Sequence, residues 1–303
     1  VDTLEAFEID DGQEFSTIMV PTACTAQLSY MVQTLLRHEV RPLVCGPTGT
    51  GKSVCVTKTI TKELPQDAYK PSILGFSAKT SANMTQDIID GQLGKRRKGV
   101  FGPPMGQTAL IFVDDLNMPE VETYGAQPPI ELLRQLVDSG GYYDLKEKSW
   151  TSIVDTIVLG AMGPPGGGRN GTTPRFLRHF SLLCVDGFDD ATLTLIFSTV
   201  VEHAYKGGYS GDVSGCAAAV VKATMETYRS AMKSLLPTPS KSHYTFNLRD
   251  FSRVIQGVLM QKPSDGFADR AAVNRLWTHE ALRVFGDRLT DDGDRDWFVG
   301  HAR

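Results

Sequence analysis

The residues best equipped for chemistry stand together at Gly46-Pro47-Thr48-Gly49-Thr50-Gly51-Lys52-Ser53, a G-x-x-x-x-G-K-S run followed directly by Val54. A glycine-rich turn of this spacing aims successive backbone N–H groups at phosphate oxygens, and the helix after it adds the positive end of its dipole. Gly46, Gly49 and Gly51 are expected to take positive φ and let the backbone approach an anion with no Cβ in the way. Lys52 is placed to pair with β- and γ-phosphates, and the Ser53 hydroxyl to take one position in a Mg²⁺ shell. Farther along, Leu110-Ile111-Phe112-Val113 runs into Asp114 and Asp115. Four apolar residues ending in acids suit a strand buried on both faces of a parallel sheet, with its carboxyl end facing a ligand. Asp114 would hold magnesium through its water shell, and Asp115 would orient or deprotonate an attacking water. Paired acids also occur as plain loop caps, but their company with the phosphate loop favours a catalytic site.

These side chains need a scaffold. Pro42-Leu43-Val44-Cys45 is the strand that delivers the loop, and residues 54–64 read as its helix, stopped by Pro65. Residues 26–38 have helical spacing; such a segment either lies against an adenine or covers a sheet edge. Further strands are expected over residues 73–77, 153–162 and 180–185, with a hairpin over 142–150. A helix over 81–93 has Thr80 or Ser81 as its N-cap. Another, over 128–138, opens on Pro128-Pro129 and closes at Gly140-Gly141. The loop Gly163-Pro164-Pro165-Gly166-Gly167-Gly168-Arg169-Asn170-Gly171 must be held by something other than its own propensity. Thr173-Pro174 opens a short helix with Arg175, Arg178 and His179. Lys95-Arg96-Arg97-Lys98, flanked by Gly94 and Gly99, reads as a solvated hairpin rather than a nucleic-acid patch, because no aromatic residues interleave it. From Asp189 onward helical periodicity takes over, at 191–205, 217–236, 248–261 and 268–285. The expected organisation is an α/β unit with a parallel sheet over residues 1–187 and an all-helical unit over 188–303.

Composition narrows the function classes. The 303 residues are 41% apolar and 22% charged with a net charge of −4, which suits a globular chain and exerts no global pull toward nucleic acid. Five cysteines, widely spaced and without C-x-x-C, fit a reduced compartment and disfavour zinc. No apolar run reaches the length of a membrane span. The chain opens on Val1 without a charged-then-apolar leader and ends without a stop signal, as a segment of a longer polypeptide would.

The order of phosphate loop, acid-tipped strand, polar loop, paired arginines and helical lid is that of an AAA+ ATPase. Four segments strongly resemble the third AAA+ module of axonemal dynein heavy chains: Gly46 to Ser53; Ile111 to Pro119; Tyr124-Gly125-Ala126-Gln127-Pro128-Pro129-Ile130-Glu131-Leu132-Leu133-Arg134-Gln135; and Ala161 to Asn170. Phe246-Asn247-Leu248-Arg249-Asp250 is similar to the lid of that module. The resemblance implies a P-loop AAA+ fold and ATP or ADP with Mg²⁺ as cofactors. It makes Lys52 and Ser53 the Walker A pair, Asp114 the magnesium-side acid, and Arg249 the sensor-2 arginine of the lid. Arg175 and Arg178 resemble the region that supplies an arginine finger to a neighbouring module. The implied partners are adjacent AAA+ modules of the same heavy chain and, through other parts of it, intermediate and light chains and microtubules in the axoneme of a cilium or flagellum. Two departures bear on rate. Asp115 stands where many family members carry Glu, and Gly163 where they carry a polar sensor-1 residue, with Asn170 a substitute farther along the loop. Both leave binding intact and put fast hydrolysis in doubt, so a binding-only regulatory module stands beside a slow ATPase. A small-molecule kinase using the same loop fits the helical C-terminal part badly.

Overall fold

In the computed structural model, which describes residues 7–10, 12–263 and 269–302, the chain divides into two units: residues 23–187, and residues 188–303 together with those before Ala23.

The first unit is built on a five-stranded parallel sheet. Helix α1 (Ala23–Arg37) precedes β1 (Pro42–Cys45), which leads through the glycine loop into α2 (Lys52–Lys58); α2 continues as a wide π turn over Thr59–Glu63. Strand β2 (Tyr69–Gly75), helix α3 (Ala82–Gln92), strands β3 (Gly94–Arg97), β4 (Val100–Gly102) and β5 (Thr108–Asp114), and helix α4 (Pro128–Ser139) follow. Then come β6 (Gly141–Tyr143), β7 (Trp150–Ile153), β8 (Thr156–Met162), the short helix α5 (Pro174–Leu177) and β9 (Ser181–Cys184). The sheet order is β2-β5-β8-β1-β9. Strand β1 therefore lies between β8 and β9, where the order reverses and ligands of parallel sheets bind.

The apolar runs behave as a doubly covered sheet demands. Leu110, Phe112, Leu159 and Val44 point to one face, under Leu28, Val32 and Leu36 of α1 and Val56 of α2. Ile111, Val113, Val158 and Leu43 point to the other, against Ile89 of α3 and Ile130, Leu133 and Leu136 of α4. Helix α3 starts where expected, with the Ser81 side chain accepting the Met84 N–H, and α4 ends on Gly140 at φ 67°.

The stretch 153–162 forms two strands rather than one. Asp155 turns at φ 52°, so Trp150–Ile153 joins a second sheet of order β3-β4-β7-β6 while Thr156–Met162 enters the first. The basic hairpin is accordingly built into that second sheet. Lys95, Arg97 and Lys98 are exposed, but Arg96 is paired with Asp155 and donates Nε to the Pro103 carbonyl at 2.9 Å.

The second unit contains α6 (Asp190–Lys206), α7 (Gly211–Ser214), α8 (Ala217–Ser234), α9 (Leu248–Leu259), α10 (Arg270–Val284) and α11 (Asp292–His301). Helix α9 buries Phe251, Val254, Ile255 and Val258, one face at helical spacing. Phe251 packs on Phe197, with ring centroids 4.3 Å apart. The expected start of α10 at Ala268 lies outside the described residues. Residues before Ala23 sort with this unit, whereas the sequence reading ran the α/β part from residue 1. The reason is apolar: Ile9 and Val20 bury themselves with Val200, flanked by Ile18, Ile196 and Leu259.

Asp250 anchors the start of α9. Only 2% exposed, it accepts the Asn247 backbone N–H at 3.0 Å and faces Arg288 Nη1 at 2.9 Å. Asp250→Ala strands both donors and is expected to cost about 3 kcal/mol of stability, read as a lowered denaturant midpoint.

Candidate nucleotide-binding site

The site lies at the carboxyl ends of β1, β8 and β5. Two glycines of the loop take the conformation expected of them: Gly49 has φ 88°, and Gly51, the N-cap of α2, has φ 71°. Gly46 serves a different purpose. It is not among the positive-φ residues; a Cβ built there would sit 2.2 Å from the Val185 carbonyl oxygen, just past the end of β9. Glycine is required because two backbones touch. Thr48 and Thr50 fill the turn, the Thr50 hydroxyl donating to the Pro47 carbonyl at 3.0 Å. Val54 lies in the first turn of α2 and is exposed.

Lys52 is buried, with Nζ donating to the Pro47 carbonyl at 2.5 Å and to Thr50 Oγ1 at 3.2 Å. Desolvation pulls its pKa below the ordinary lysine value. The nearby Arg169 guanidinium pulls it further, while Cys45, Asp114 and Asp115 pull the other way. A cation held dehydrated next to a second cation is poised for a multiply charged anion.

Ser53 Oγ donates to Asp114 Oδ1 at 2.6 Å, and the Asp115 N–H reaches the same oxygen at 3.0 Å. This hydroxyl and carboxylate are drawn from elements 61 residues apart. They are the right donors for magnesium, which usually takes one or two protein oxygens and fills the rest of its octahedron with phosphate and water. Asp115 itself has φ 51°, an uncommon conformation for a non-glycine residue, and its side chain is 46% exposed.

The glycine-rich loop after β8 is held to the loop after β5 by amides. Asn117, wholly buried, donates Nδ2 to the Gly163 carbonyl at 2.8 Å and accepts the Asn170 N–H on its own carbonyl at 3.1 Å. Asn170 donates its side-chain amide to the Pro119 carbonyl at 2.8 Å. The side chain expected to substitute for sensor 1 thus has its Nδ2 engaged on the loop after β5. Its neighbour Arg169 is the one that reaches the phosphate loop, donating Nη1 to Thr48 Oγ1 at 2.9 Å and facing Asp115 Oδ1 from Nη2 at 3.3 Å.

Arg175 and Arg178 are not brought to Lys52. They pair with acids of α4, Arg175 with Glu131 at 2.7 Å and Arg178 with Asp138 at 2.9 Å, and their side chains stay 58% and 63% exposed. Burial pushes the Glu131 carboxyl up, but Arg134 and Arg175 together hold it below the usual range. Arg249 belongs to the helical unit, an exposed first-turn residue of α9 whose N–H is taken by the Asn247 side chain at 2.8 Å.

Sequence reasoning passed over Arg169 and Asn117 as site residues. The available signal was their spacing: a polar residue three positions after Asp114, and an arginine in a loop too rich in glycine to hold itself.

Comparison with known proteins agrees with this geometry. The family model described as the P-loop containing dynein motor region matches residues 7–188, and the dynein heavy chain ATPase lid domain matches 197–295. The chain is 50% identical over 301 residues to dynein axonemal heavy chain 3 of Homo sapiens, covering 99% of this chain and 7% of that protein. It is 47% identical over 298 residues to dynein axonemal heavy chain 12 of Rattus norvegicus, covering 98% and 10%. To dynein axonemal heavy chain 1 of Mus musculus it is 48% identical over 305 residues, covering 96% and 7%. The chain therefore spans 7 to 10% of the length of these relatives. With its phosphate loop on a parallel α/β sheet and its helical lid, the chain belongs to the family of P-loop-containing dynein motor regions.

Proposed function

We propose that this chain is the third AAA+ module of an axonemal dynein heavy chain, a site that binds ATP with Mg²⁺, hydrolyses it slowly and passes its state to the ring through its lid. The Ser53–Asp114 hydrogen bond carries the reading, because it holds a hydroxyl and a carboxylate together beside a dehydrated lysine. Magnesium bound there would neutralise charge on the phosphates. The loop N–H groups and Lys52 would grip the phosphates, and Asp115 would hold the attacking water. Arg249 would report from the lid. Arg175 and Arg178, exposed on the α5 region, are available to the nucleotide of a neighbouring module, where an arginine finger can be worth several powers of ten in rate. Other parts of such a heavy chain would make the contacts with intermediate and light chains and with microtubules in the axoneme.

A second reading, nucleotide as a structural ligand without turnover, is favoured by Asp115, which is one methylene shorter than glutamate and faces Arg169. Phosphate release separates the two. Under the first, the 303-residue chain turns over slowly, lacking an arginine from a neighbour, and Asp115→Asn lowers release about 100-fold while binding holds. Equal release by both proteins, with binding intact, selects the second. In a complete heavy chain the same variant is expected to alter microtubule gliding speed; an unaltered speed would remove the regulatory role.

A further inference from the structure

Arg169 occupies the place that Gly163 leaves open. A Cβ on Gly163 would lie 2.5 Å from Arg169 Nε and 2.6 Å from its Cδ, so the residue just after β8 has no side chain because a guanidinium stem folds across it. From there Arg169 spans the width of β8, between Thr48 beyond β1 and Asp115 beyond β5. The bond to Asp115 is single and long, at 3.3 Å, and the carboxylate is half open to solvent. Nε is shielded from solvent and lacks an acceptor. A buried guanidinium donor without a partner is costly, and an anion with several oxygens would satisfy it better than one carboxylate oxygen.

We propose that Arg169 is the residue of this site that distinguishes a nucleoside triphosphate from a diphosphate: its guanidinium exchanges Asp115 for the terminal phosphate, and the freed carboxylate becomes available to water. This rests on the nucleotide reading above and assigns the work of the absent polar side chain at Gly163 to a residue six positions later.

The test is calorimetric, on the 303-residue chain with Mg²⁺ and either ADP or a slowly hydrolysed ATP analogue. Arg169→Ala is expected to weaken the triphosphate about 10- to 100-fold, the range of one or two charge-assisted hydrogen bonds, and ADP by less than about threefold. Gly163→Ala, which pushes the side chain away without removing its charge, should show the same split. Arg169→Lys should recover part of the triphosphate affinity, having the charge without the fork. If the unaltered chain binds both nucleotides and Arg169→Ala weakens them equally or not at all, Arg169 only braces the loop and this inference falls while the nucleotide site stands. If the unaltered chain binds neither, the site reading fails and takes this inference with it.

Discussion

Lys52→Ala is expected to abolish measurable binding of both ADP and ATP, in the presence of Mg²⁺, to an otherwise folded chain. The ammonium would meet two phosphate groups, and charge-assisted hydrogen bonds contribute about 1.5–3 kcal/mol each, so the loss amounts to at least two powers of ten in affinity. The fold should not suffer. Lys52 carries its charge in a desolvated place beside Arg169, and its pKa is pulled down for those reasons in that order. A lysine with a folded-state pKa below its unfolded value binds its proton less readily when folded, so it subtracts stability at any pH where it is charged. Removing it relieves that burden, and Thr50 keeps its own bond to Pro47. Calorimetry and thermal unfolding together check this: unchanged affinity would refute the assignment of the site, and a large drop in melting temperature would refute the account of the lysine.

Gly46→Ala should do the opposite, damaging the fold before the ligand is considered. Its Cβ would stand 2.2 Å from the carbonyl oxygen of Val185 and 3.1 Å from the carbonyl carbon. Neither atom is the end of a flexible side chain, so β1 and the end of β9 must part. That separation disturbs the ladder in which Cys45 pairs with Cys184 and Val185 donates to Cys45 at 2.8 Å. Overpacking a rigid contact costs about 3 kcal/mol, which for a unit of this size is roughly a 10 °C fall in thermal midpoint. Gly75→Ala is the control, since a Cβ there meets nothing within 4 Å and Gly75 is not among the positive-φ residues. Equal midpoints for the two variants would show that the Val185 contact does not constrain the loop.

Much of this was legible in the chain. The glycine loop and the acid-tipped strand could be read because their partners are close in sequence or fixed by spacing: Gly49 and Gly51 answer to the turn, and Leu110 to Val113 to burial on two faces. Arg169 could not be read that way, since its partners Thr48 and Asp115 lie 121 and 54 residues away. The role of Gly46 was misread for a similar reason: a conformational demand and a close approach both ask for glycine, and only the position of Val185 decides between them. The division of 153–162 into two strands depends on Asp155, a single turn-forming residue inside an otherwise strand-like run, which turns at φ 52°. Residues before Ala23 carry no sequence signal for the surface they cover: Ile9 and Val20 cluster with Val200, while the family model runs from residue 7 into the α/β unit.

The contact between Gly46 and Val185 also decides how a strain in the loop can travel. Val185 is two residues from Gly187, where the α/β unit ends, so a displacement of the loop is met at once by main chain at the carboxyl edge of the unit's own sheet. Both partners in that contact are main chain, so no change of rotamer can absorb the displacement.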